Sequence, residues 1–167
     1  MNIELKNVQH FERMSEETDC YSASLYVDGV KIGEVSNRGC GGCDEFHGDR
    51  AAYDRADRWC RESLPKLPPL FEDGEPMEQT IETVCHDRLT DWLLRRDMKR
   101  AMARRALFVK PDHAGKVFQL GYRGTAKPDE RLFAEVERRH PDATILNRLP
   151  EAEALRLYKG EGEAAPA

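Results

Sequence analysis

Cys40-Gly-Gly-Cys43, with His47 four residues on, is the densest group of soft donor atoms in this 167-residue chain. Two thiolates two residues apart on a glycine knuckle can converge on one Zn²⁺, and an imidazole nearby can supply a third ligand. Cys60 is the candidate fourth ligand, with Cys85 and His86 as alternatives. A second well-spaced pair, which marks structural zinc modules, is missing. The plainer reading is a tight glycine loop after a strand, in which the thiols are incidental. A redox dithiol asks for a helix N-terminus to lower the thiol pKa, and two glycines suit a turn better.

Arg95, Arg96, Lys99, Arg100 and Arg104 form a second candidate site, a cationic stripe along a helix that can follow a phosphate backbone. The formal net charge is −5, yet residues 95–127 hold ten bases against two acids, so one short stretch carries the positive excess. The competing reading is a solvated helix face balanced by acids from elsewhere, and the acidity of the whole chain opposes a general nucleic-acid binder.

Carboxylates make a third group. Glu16, Glu17, Asp44, Glu45 and Asp49 fall where turns gather at one end of an N-terminal sheet, a place where a hydrolase pair can sit. Solvated loop acids are the plainer account. His86-Asp87 lacks further histidines at helical spacing. Gly39-Cys-Gly-Gly lacks the lysine and hydroxyl of a phosphate loop, and no serine has a nucleophile-elbow context.

The elements that must position these groups read as α+β. Residues 3–13 alternate like a strand with a slip near Asn7, and 20–27 and 30–36 are strands joined by Asp28-Gly29, a strong type I′ hairpin signal. A three-stranded antiparallel meander and a helix over 49–63 thus make a lobe spanning 1–64. Residues 65–76 form a Pro-rich linker, since proline removes donors and holds its predecessor extended. A long helix over about 77–106 follows. Its apolar face rotates beyond residue 94, which predicts a break near 95–97. Strands at 107–109 and 117–122, a helix at 129–139, a strand at 143–146 and a helix from Pro150 complete a small mixed ββαβα sheet within a lobe spanning 77–159. The Glu/Gly/Ala/Pro segment 160–167 is expected to be disordered.

With 40% hydrophobic and 34% charged residues the chain has the composition of a solvated globular protein rather than a disordered one. Its apolar runs are only a few residues long and no signal pattern opens it, so no membrane role and a cytoplasmic location are expected. Five cysteines, an odd number, argue for reduced thiols rather than a disulfide framework.

Ser15-Glu-Glu-Thr-Asp-Cys-Tyr-Ser-Ala-Ser-Leu-Tyr-Val-Asp-Gly, running on to Ser36-Asn-Arg-Gly-Cys-Gly-Gly, is similar to small uncharacterised proteins of phages, prophages and mobile elements. So is the run from Leu107-Phe-Val-Lys to Ile145-Leu-Asn-Arg-Leu-Pro. The resemblance implies no activity and no functional residues; it implies an accessory protein acting on a host or phage macromolecule. The resulting expectation is a non-enzymatic binding protein with a protein partner. The alternatives are a small zinc-containing nucleic-acid-binding protein using 95–105, and an enzyme whose site is assembled from residues distant in sequence.

Overall fold

The computed structural model describes residues 1–69, 71, 74–124 and 126–161. The chain is α+β and divides into two compact units, Met1–Asp91 and Trp92–Ala167.

The first unit is built on a four-stranded antiparallel sheet in the order β1 (Ile3–His10), β2 (Cys20–Val27), β3 (Val30–Arg38), β4 (Glu45–Gly48). The expected meander is its first three strands. Asp28 and Gly29 both take positive φ, 49° and 82°, and place Val27 opposite Val30. The slip in alternation near Asn7 is a β-bulge: the register shifts between Lys6 and Gln9, and Asn7 sits at φ 54°, a region asparagine tolerates. β4 adds a fourth strand to that meander. It holds only four residues, and its pairing depends on glycine: a Cβ on Gly33 would lie 2.5 Å from the His47 carbonyl oxygen.

Helix α1 (Arg50–Ser63) is capped by Asp49, whose side chain accepts from the Ala52 N–H, and it ends before Leu64-Pro65. Within 65–76, Leu67 forms an antiparallel bridge with Met77, while 70, 72 and 73 lie outside the described residues.

Helix α2 (Ile81–Met102) runs through 22 residues without the expected break near 95–97. The rotation of its apolar face has another origin. Ile81, Val84, Cys85 and Leu89 are buried in the first unit, whereas Met98 joins Leu107, Leu146, Ala154 and Leu155 in a core of the second. The helix contributes to one core before Asp91 and to another after it, and a single-stripe reading takes that change as a break.

In the second unit β5 (Ala106–Val109) is the central strand of a three-stranded sheet, between β6 (Val117–Leu120) and β7 (Thr144–Ile145). The ββαβα order is as expected, but the sheet is wholly antiparallel rather than mixed. β6 and β7 run in the same direction on opposite sides of β5, so the crossover through α3 (Glu130–Arg139) passes over the central strand instead of joining neighbours. Both faces of β5 are covered. Ala106 and Phe108 pack with Leu132 and Val136 of α3, and Leu107 packs with Ala154 and Leu155 of α4 (Glu151–Tyr158). Of the expected disordered segment, 162–167 lie outside the described residues. Gly160 and Glu161 close α4 instead, with N–H groups donating to the Leu157 and Arg156 carbonyls and Gly160 at φ 79°.

Candidate functional site

Three short stretches of the first unit meet where β2 begins, β3 ends and α2 starts. The bend after β1 is held by one carbonyl: Gly39 O accepts from the N–H groups of Glu16 (2.9 Å), Glu17 (2.9 Å) and Thr18 (3.3 Å). Gly39 itself has φ 84°, and a Cβ there would fall 2.1 Å from the Met14 carbonyl oxygen. Only glycine fits this crossing of two backbones.

Asn37 knits the same region together. Its Oδ1 accepts from Thr18 Oγ1 (2.8 Å) and the Gly39 N–H (2.9 Å), and its Nδ2 donates to Gly42 O (3.2 Å) and Asp44 Oδ1 (3.1 Å). The Tyr21 hydroxyl donates to the other oxygen of Asp44. The Asp44 N–H in turn donates to Glu82 Oε1 at 2.8 Å. Burial, and then the Asp44 carboxylate, hold the Tyr21 hydroxyl well above the usual phenol range. It stays a donor.

The start of α2 is equally fixed. Ile81 N–H donates to Asp57 Oδ1 at 2.9 Å, and Thr80 and Thr83 exchange N–H to Oγ1 bonds at 2.8 and 3.2 Å. These bonds satisfy donors that a helix start leaves orphaned, and they aim Glu82, His86 and Asp87 at the same space.

That space is a cleft of about 690 Å³, lined by six carboxylates, those of Glu16, Glu17, Asp19, Asp44, Glu82 and Asp87. Among the described residues, no lysine or arginine lines it, and His86 is the one imidazole that does. Leu67 and Leu89 supply apolar wall. Glu16, Glu17 and Asp44 are three of the five acids that the turn pattern grouped; Glu45 and Asp49 do not line the cleft. Tyr21, Asn37 and Glu82 were not among them. Their signal was faint: an asparagine beside a glycine loop, and an acid in the first turn of a helix.

No family model, curated protein or solved structure matches the chain.

The structure does not bring the candidate zinc ligands together. Cys40 and Cys43 are exposed on the glycine loop. His47 is exposed on β4 opposite Glu34, and Cys60 is buried in α1, as Cys85 is in α2. Among the described residues no three His, Cys, Asp or Glu side chains are placed to hold a metal ion. Burial above all raises the Cys60 thiol to about 11 and the Cys85 thiol to about 12, so both stay protonated.

The stripe along α2 is largely neutralised within its own unit. Arg95 and Lys99 share Glu151, at 3.3 and 2.8 Å, and Arg96 pairs with Asp97 at 2.8 Å while lying over the Trp92 ring. Arg100 reaches Asp97 at 3.8 Å. Arg104 stands beyond the end of α2, where no carboxylate among the described residues pairs with it.

Proposed function

We propose that this is a non-enzymatic accessory binding protein, of the kind mobile elements encode, that takes a cationic segment of a protein partner into its acidic cleft. Among the described residues, six carboxylates and no lysine or arginine line this cleft of about 690 Å³, and they carry the reading. A guanidinium or ammonium group placed there meets carboxylates from several sides, partly shielded from water, where charge pairs act more strongly than on an open surface. The volume suits a few side chains rather than a whole domain. Asn37, Gly39 and the capped start of α2 hold the walls in place before binding, which lowers the ordering cost of association. Five free thiols accord with a reducing cytoplasm.

Turnover is the weaker account. A general base or activated nucleophile works best with a pKa near neutrality. The phenol of the cleft, Tyr21, moves away from it, raised by burial and then by the Asp44 carboxylate.

Calorimetric titration with a hexa-arginine peptide tests the reading. Glu16, Glu17 and Asp87 are exposed acids of the cleft, so Glu16→Gln/Glu17→Gln/Asp87→Asn leaves the fold intact. The expected result is binding at about 50 mM salt that this variant weakens about tenfold or more, at an unchanged melting temperature. Absence of binding at low salt, or equal affinity of the variant, overturns it.

A further inference from the structure

The positive excess of residues 95–127 does not spread evenly over the second unit. Its N-terminal members, Arg95, Arg96 and Lys99, are tied to Glu151 and Asp97. Past the end of α2, Arg104 and Arg105 have no carboxylate partner among the described residues, and both are exposed. Exposed Arg123 and Lys127 are likewise without one.

Arg104 and Arg105 are fixed at the backbone. Both N–H groups donate to Ala101 O, at 3.0 and 2.9 Å, and the Arg105 carbonyl accepts from Asn147 Nδ2 at 3.1 Å. The chain leaving β6 lies against them, since a Cβ on Gly121 would stand 3.2 Å from Arg105 Cγ. One residue later Tyr122 is 39% exposed, yet its hydroxyl is committed, donating to Asp129 Oδ1 at 2.6 Å. Asp129 Oδ1 also accepts from the Leu132 N–H at the start of α3. The ring is therefore held at its polar end while its body stays open to solvent. Gly124, at φ 89°, turns the chain beside it. Arg104, Arg105, Tyr122, Gly124 and Ala126 enclose a concavity of about 450 Å³.

Two unpaired guanidinium groups beside a tethered aromatic ring match the two halves of a nucleotide. Guanidinium forks take phosphate oxygens in pairs, and a tyrosine face stacks any base. Asp129, the carboxylate that Tyr122 reaches, is engaged by that hydroxyl and by α3, and Arg131 acts on it favourably as well. We infer that this concavity binds single-stranded nucleic acid, with Arg104 and Arg105 on the phosphodiester and a base on Tyr122. It is separate in the chain from the acidic cleft, and it differs from the stretch of the stripe over 95–100, whose cations pair with Glu151 and Asp97.

Fluorescence anisotropy of the full-length protein with labelled 12-nucleotide oligothymidine and oligouridine, with polyphosphate as competitor, tests this. Arg104→Gln/Arg105→Gln changes only exposed side chains and is expected to lose about tenfold in affinity, with the salt slope reduced by about 1.4. Tyr122→Leu is expected to weaken oligonucleotide binding about fivefold or more while leaving direct polyphosphate binding unchanged, and Tyr122→Phe to retain most of the stacking. Arg138→Gln, which removes a cation paired with Glu135 at 2.7 Å, leaves binding as it was. Failure of the protein to bind either oligonucleotide at low salt overturns the inference. So does an unchanged salt slope in the double variant, or Tyr122→Leu binding oligonucleotide as well as the parent does, which describes a bare anion site.

Discussion

Asn37, a residue only 9% exposed, carries four hydrogen bonds on its side chain and connects the Thr18 bend, the glycine loop and Asp44. Nothing in the residue type announced this, because asparagine ahead of glycine ordinarily marks a turn. The acids that border it were legible, since Glu16, Glu17 and Asp44 fall at turns that an antiparallel meander returns to one end. The cysteines divide differently from the spacing argument. Cys-x-x-Cys suggested shared ligation with Cys60, but α1 turns Cys60 into the core, where its thiol is inert, and leaves Cys40 and Cys43 in solvent. At about pH 8, Ellman's reagent is therefore expected to titrate two thiols in the native protein and all five after denaturation. Fast labelling of a third thiol in the native protein contradicts this division.

Among the elements, those with strong local chemistry were readable. The Asp28-Gly29 hairpin, the bulge at Asn7 and the α1 cap at Asp49 each rest on one or two residues whose backbone preference is unambiguous. β4 was not readable because its edge pairing depends on Gly33 and Gly48 letting two backbones approach, a tertiary condition with no periodic signal. α2 misled through its two faces. Its far end is secured by Asn147, whose Nδ2 donates to the Met102 and Arg105 carbonyls while its Oδ1 accepts from the Leu107 N–H at 2.7 Å. Asn147→Ala removes three bonds and leaves backbone groups between α2 and β5 unpaired. Chemical denaturation is expected to show a loss of about 2–3 kcal/mol. A change under about 0.5 kcal/mol shows that these bonds do not hold the junction.

Across the whole molecule, charge is sorted by sequence before it is sorted in space. Residues 1–75 hold sixteen acids and nine bases, and 95–127 hold ten bases and two acids. That asymmetry was plain in the sequence. Which charges remain available was not, because availability depends on tertiary pairing: Glu151 consumes two cations of the α2 stripe, while among the described residues no lysine or arginine lines the acidic cleft. Among the described residues no helix is long and apolar enough to cross a membrane. Acidic cleft and basic concavity belong to different units, so each is tested without the other. The central claim is that the cleft of the first unit receives a cationic segment. Two-dimensional amide NMR of the ¹⁵N-labelled protein, titrated with hexa-arginine, tests it most directly. Shifts concentrated at 15–19, 37–44 and 80–89 are the predicted outcome. Shifts confined to other acidic positions, such as 151–161, or spread evenly over the surface, contradict it.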